Sequence, residues 1–366
     1  YNPGGVSRGS PIFLPPSVQP VVVGETVIVR QDDAVRAYNI ITGMPLWEGR
    51  GQLEKDESSS SRQYYGYTLP FDSGQYCLTC GGGYVYALSD CPPAQVGRYV
   101  NRSMPGPADM SCLVAYSIEE EGKIKWTRGR GQGESELIRN GKYLSAPTYL
   151  DQRLYVLILY MESYHLACLS ARTGELVWST ILAQIPAQAP HLRYMDLDSR
   201  GSPPAVNDGI VVAVTNSGVI AGLEADTGRP LWAHQYPSAL NRMGAVSYPV
   251  VQGRNNAATY PPNPVIISRG RAFCLPCDSD NMLSLDCRSG QLLLETSRQD
   301  QKDLSFVDHD RLLLSGEGLV VVDAQSGQIL AKHENKGILG RPAVSRRHVL
   351  ASAEGMYYRS TDGREI

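Results

Sequence analysis

The 366-residue chain carries 34 basic and 37 acidic residues, a formal charge of −3, which excludes a strongly basic nucleic-acid binder. Apolar residues make up 42% and charged residues 19%, so the chain can bury a large core and is not a disordered polyelectrolyte. No apolar run approaches the roughly 18 residues needed to cross a bilayer, and Tyr1 opens a polar Gly/Pro stretch with no signal peptide in view.

In chain order, a short turn ending in glycine recurs, with tryptophan four residues later. The segments run Tyr38 to Trp47 (YNIITGMPLW), Tyr116 to Trp126 (YSIEEEGKIKW), Leu169 to Trp178 (LSARTGELVW) and Leu223 to Trp232 (LEADTGRPLW). The turn glycines are Gly43, Gly122, Gly174 and Gly228. The same turn returns without tryptophan at Gly290, Gly327 and Gly363. The seven turns are spaced by 79, 52, 54, 62, 37 and 36 residues. The last two spacings are near a minimal repeat, and the others carry insertions.

Each repeat reads as short apolar runs broken by Gly, Asn and Asp, a β pattern without helical periodicity. Residues 201–232 supply the type case, with four strands A to D per unit. About seven such units predict an all-β fold, a β-propeller of four-stranded antiparallel blades formed as one domain over 1–366. Seven blades are expected, with eight as the alternative. The last repeat lacks most of strand D after Gly363, and Ile12-Phe13-Leu14 near the start is expected to fill that slot. The 79-residue spacing reads as a long B–C insertion between Asp90 and Cys112.

Around Ala221 to Trp232, the pattern A-x-D-x-x-T-G-x-x-x-W resembles the tryptophan-docking motif of PQQ-like, quinoprotein-type β-propeller repeats. Glu224 stands at the acidic position, and Asp286 and Asp323 keep the Asp. The resemblance covers the chain from about Pro20 to Ile366. It is similar in kind to the propeller lipoprotein of the bacterial outer-membrane β-barrel assembly machinery. That likeness implies a bacterial periplasmic or envelope location, with membrane association only through a separate anchor or a partner.

If strand A lines the axis, the D–A and B–C loops leave one face. The expected insertions at 48–68, 91–111, 179–203 and 233–262 all fall there. They are rich in Tyr and Arg, which anchor interfaces. The candidate partner face therefore contains Tyr64, Tyr65, Arg98, Tyr99, Arg193, Tyr194, Tyr236 and Arg242. A protein or peptide partner is expected, and no nucleic acid.

Eight cysteines are present. Cys91 and Cys112 bracket the B–C insertion and read as a possible disulfide. Cys77–Cys80 and Cys274–Cys277 form two C-x-x-C units. Zinc is a minor possibility for them, because residues i and i+3 of a strand face opposite sides. Asp196 to Gly201 and Asp278 to Asn281 have spacings usable by calcium but read more simply as turns. The resemblance would imply, for a bound PQQ, an adjacent Cys-Cys pair, a Trp under the quinone and a calcium cluster. No adjacent Cys-Cys occurs, and all four Trp are already in the docking register. The six histidines form no H-x-x-x-H, and no catalytic motif appears. The leading expectation is thus a non-catalytic scaffold without a cofactor. The rivals are a PQQ- or metal-dependent oxidoreductase or small-ligand binder using the central channel, and a sensor or attachment domain of a longer envelope protein.

Overall fold

A computed structural model describes residues 20–31, 34–50, 77–89, 112–129, 131–184, 201–238, 260–299, 301–308, 310–316, 318–333, 341–344, 349–353 and 356–359. These residues form seven antiparallel sheets, each an up-and-down meander in chain order. Sheet 1 holds β1 (Val21–Val23), β2 (Thr26–Gln31), β3 (Ala34–Asn39) and β4 (Pro45–Arg50). Sheet 2 holds β5 (Thr79–Gly81), β6 (Tyr84–Ser89), β7 (Cys112–Ser117) and β8 (Lys123–Arg128). After a short helix α1 (Glu136–Asn140), sheet 3 holds β10 (Thr148–Leu150), β11 (Arg153–Tyr160), β12 (Ser163–Ser170) and β13 (Leu176–Gln184), with a two-residue strand β9 (Lys142–Tyr143) also paired to β11. Sheet 4 follows with β14 (Ala205–Asn207), β15 (Ile210–Val214), β16 (Val219–Glu224) and β17 (Pro230–Gln235). Sheet 5 has β18 (Ile266–Ser268), β19 (Arg271–Cys274), β20 (Asn281–Asp286) and β21 (Leu292–Ser297). Sheet 6 has β22 (Asp303–Asp308), β23 (Arg311–Gly316), β24 (Gly318–Asp323) and β25 (Ile329–His333). Sheet 7 shows three strands, β26 (Ala343–Val344), β27 (Val349–Ala353) and β28 (Met356–Arg359).

The first strands touch in sequence, from β1 to β5, β10, β14, β18, β22 and β26. They are the inner strands of a propeller. The core lies between sheets, because side chains alternate along a strand. In β6, Val85 and Ala87 pack toward Ile28, Val35 and Ala37 of sheet 1. Tyr86 and Leu88, one step out of phase, pack toward Leu154, Val156 and Ala167 of sheet 3. A strand buried on both sides reads as a continuous apolar run, and CLVAYS in β7 and IVVAV in β15 are buried throughout. Burying each such side chain contributes about 1.5–3 kcal/mol.

The repeated turns join neighbouring sheets. In each, the glycine N–H closes on a carbonyl at the end of the third strand, as Gly174 does on Ser170, Gly228 on Glu224 and Gly290 on Asp286. Gly43, Gly122, Gly174, Gly228, Gly290 and Gly327 all have φ between 70° and 80°. A register shift follows in every third-to-fourth strand pairing of sheets 1 to 6, a bulge that turns the next side chains. Trp178 then lies against Gly228 of the next sheet, where any Cβ would collide with its ring. Its Nε1 donates to Ala225 O at 3.0 Å. Trp126 does the same to Gly174 and Ala171 O, and Trp232 to Gly290 and Cys287 O. Trp47 stacks on Gly122. The position opposite the third strand is Leu294 in sheet 5 and Ala331 in sheet 6.

Three expectations shift. Glu48–Arg50, Ser179–Gln184 and Ala233–Gln235 belong to fourth strands rather than loops. The helix α1 was not anticipated, since one turn leaves no periodicity. Ser135 caps it, accepting from Ile138 N, and Leu137 and Ile138 anchor it in the core. Ser89 pairs directly with Cys112, so β6 and β7 are neighbours in sheet 2, and residues 90–111 between them lie outside the described residues. Gly363 and Ile12–Leu14 lie outside the described residues.

Candidate partner face and axial cavity

Strand direction places the D–A and B–C connections at one end of the sheets and the A–B and C–D turns at the other. The second end is uniform. Asp286 Oδ1 accepts from Arg288 N, Ser289 N and Ser289 Oγ, and Asp323 Oδ1 accepts from Gln325 N, Ser326 N and Ser326 Oγ. These bonds, led by those from Ser289 and Ser326, hold both carboxyls below the usual range.

The first end is elaborated. Tyr64, Tyr65, Arg98, Tyr99, Arg193, Tyr194 and Arg242 lie outside the described residues. Tyr236 is described, and the structure draws it inward. It is 5% exposed, and its hydroxyl donates to Asp278 Oδ1 at 2.7 Å. It serves the frame of the face rather than its surface. Burial pushes the Asp278 carboxyl up, against the opposing pull of Ser238 and Tyr236.

Three further side chains build that frame. Asn216 accepts from Cys277 N and donates to Ser202 Oγ, joining sheets 4 and 5. Arg298, 1% exposed, donates to the carbonyls of Pro276, Ser279, Gln301 and Lys302. Its guanidinium lies 3.5 Å from the Tyr260 ring centre. Asn263 donates to Pro261 O and Lys302 O and accepts from Leu304 N and Arg341 Nη2. Tyr236 and Tyr260 thus clamp both stems of the 239–259 insertion. Sequence reading missed Arg298, Asn263 and Arg341, because an isolated polar residue in a turn gives no pattern. The Asp278–Asn281 segment is not a converging ligand set. Asp278 meets Tyr236, Asp280 meets Tyr260, and Asn281 donates to Glu295. Asp196 lies outside the described residues.

At the same end, a cavity of about 340 Å³ sits on the axis. Its wall includes Cys77, Cys80, Thr79 and Thr148, four prolines (Pro147, Pro203, Pro262, Pro264) and Arg341. Thr79 and Thr148 donate to Pro147 O and Pro204 O of the following sheet. Arg341 lies 3.7 Å from Asp303. Among the described residues, the wall offers one cation and no carboxylate. That is not a donor set for a calcium-bound quinone, since calcium takes oxygen ligands rich in carboxylate. No chemistry through PQQ follows from these residues.

The cysteines separate into two groups. Cys112 is disulfide-bonded, and its expected partner Cys91 lies outside the described residues. Cys77, Cys80, Cys168, Cys274, Cys277 and Cys287 are thiols. Burial pushes Cys80 up to about 12 and Cys274 further, which opposes the thiolate form that zinc needs. Among the described residues, no group of three or more His, Cys, Asp or Glu is placed to hold a metal. His165 is half-buried beside the Tyr160 ring, and burial lowers its pKa.

A family model described as outer membrane protein assembly factor BamB matches residues 113–366. The chain belongs to this family. A search of curated proteins returns no match. Among solved structures, BamB from Moraxella catarrhalis aligns with a TM-score of 0.56 at 14% identity, covering 90% of this chain and 79% of that one. The computationally designed Ika8 protein aligns equally well, at 0.56 and 14%, covering 94% and 86%. Both likenesses concern the fold. Quinohemoprotein alcohol dehydrogenase from Comamonas testosteroni reaches only 0.47 at 12% identity, covering 91% and 69%. Like its BamB relative, the chain is a PQQ-like propeller. Among the described residues, no helix is long and apolar enough to cross a membrane.

Proposed function

We propose that this chain is a non-catalytic scaffold of the bacterial cell envelope that binds a protein or peptide partner through its D–A and B–C end. One observation carries the reading. The long insertions all leave the end that surrounds the axial cavity, whereas the opposite end repeats one tight turn. A buried frame of Tyr236, Asp278, Arg298 and Asn263 at the base of long connections is how a repeat scaffold presents a binding surface. Arg98, Tyr99, Arg193, Tyr194 and Arg242, with Tyr64 and Tyr65, are the proposed contact residues. The family description names outer membrane protein assembly, which supports a proteinaceous partner and a periplasmic address.

Site-specific photo-crosslinking tests this. A crosslinking residue at Arg98 or Arg193 should trap one defined partner in an envelope preparation. The same residue at Arg172 or Gln325, on the tight-turn end, should trap none. Equal trapping from both ends, or trapping only from the tight-turn end, would reject the proposed face. A second reading, a small-ligand binder, draws on the axial cavity, whose volume is within the range of ligand pockets. It predicts a mass excess under native conditions that disappears on denaturation.

A further inference from the structure

The axial cavity, about 340 Å³, is at the small end of the range for ligand pockets. Most of its wall is apolar, with Val21, Leu78 and Ala146 beside the four prolines. Proline has no N–H to offer a guest. Thr79 and Thr148 spend their hydroxyl protons on Pro147 O and Pro204 O. Burial pushes the Cys80 thiol up to about 12, which keeps it neutral. Among the described residues, the one charge on the wall is Arg341.

Arg341 is built into the frame, with its side chain 11% exposed. Asn263, pinned by Pro261 O, Lys302 O and Leu304 N, accepts from its Nη2 at 2.9 Å. The Nε–H is buried with no acceptor among the described residues. Asp303 Oδ1 lies 3.7 Å from Nη2, outside hydrogen-bond distance. Asp303 is not on the cavity wall, and burial raises its pKa. Arg341, Arg298 and Lys302 all act on Asp303, and Asp280 acts on Arg298, so three cations meet two carboxyls. A guanidinium with unused donors and positive charge in excess, at the wall of an apolar cavity, is the complement of a carboxylate.

We propose that the axial cavity binds a small organic carboxylate, with the carboxylate on the Arg341 guanidinium and the apolar body against the prolines. This deepens the small-ligand reading above and rests on it. Phosphate is the poorer guest, because a single guanidinium among prolines leaves most of its oxygens without donors.

Isothermal titration calorimetry of the full chain with 4-phenylbutanoate, and with the neutral 4-phenylbutanamide, tests the proposal. The acid should bind about tenfold tighter than the amide or better. Arg341→Gln should abolish that preference and leave the amide's affinity unchanged, whereas Arg172→Gln, at the tight-turn end, should keep it. The acid–amide comparison is made on the wild type, so it decides even where Arg341→Gln fails to fold. Equal binding of acid and amide would keep the small-ligand reading and overturn the carboxylate. Binding of neither would overturn both. A preference for the acid that survives Arg341→Gln, or that equimolar inorganic phosphate removes by competition, would also overturn the proposal.

Discussion

A single glycine position does two jobs at once at the docking turns, and substitution can separate them. Gly228 and Gly209 share a positive φ, 71° and 74°. A Cβ at Gly209 meets nothing within 4 Å, whereas at Gly228 it collides with the Trp178 ring. Gly209→Ala should therefore cost only the left-handed backbone penalty, about 1 kcal/mol. Gly228→Ala should cost at least about 1 kcal/mol more in chemical denaturation, and that excess should vanish in a Trp178→Ala background. The acidic turn residues make a second, separable contribution. Hydrogen bonds hold Asp286 and Asp323 below the usual carboxylate range. A carboxyl lowered on folding adds stability above its unfolded pKa, and the gain fades as pH falls through the folded one. The wild type should lose stability below about pH 4 more steeply than an Asp286→Asn, Asp323→Asn double variant, which keeps the turn acceptors without the titration. Both groups are exposed, so the change in slope is small.

At the scale of the element, strands and turns were legible because each has a local signature. The turn glycines and the four Trp stand in one register, and burial between sheets gives the apolar runs. The reading of a long B–C insertion between Asp90 and Cys112 agrees with β6 and β7, which pair at Ser89 and Cys112 on either side of it. What was not legible is nonlocal or too short to show a period. Helix α1 is five residues. Strand β13 runs past its expected end, because Ile181 and Ala183 find partners in His165 and Tyr164 beyond a bulge. Tyr236 carries the same side chain as the proposed contact tyrosines, and only the burial of Asp278 opposite it reveals that it faces inward. The B–C insertion of sheet 2 yields a direct count. Denaturing alkylation without reductant should label the six cysteines that are thiols, and reduction should raise the number to eight, with Cys91 and Cys112 newly labelled. Closure of this loop contributes about 3 kcal/mol in the chain-entropy account. Eight labelled thiols before reduction would remove the Cys91–Cys112 bridge.

For the molecule as a whole, the joints between sheets are not equal. Trp47, Trp126, Trp178 and Trp232 close the first four, Leu294 closes the fifth beside Gly327, and Ala331 stands at the sixth. A Trp in such a site covers far more area than Leu or Ala, so cohesion falls along the chain. Amide exchange should show sheets 2 to 4 opening only with global unfolding, and β22–β25 and β26–β28 opening at lower free energy. Uniform protection across the seven sheets would reject this ranking. The joints also have a direction. Sheets 2 to 4 each offer a ring forward from the fourth strand and receive one from behind on the glycine turn. Each of these repeats therefore brings its own hook and its own eye. Copying one whole repeat within the gene would add a complete fastening and leave the others undisturbed, which makes such a ring easy to lengthen or shorten by duplication and loss.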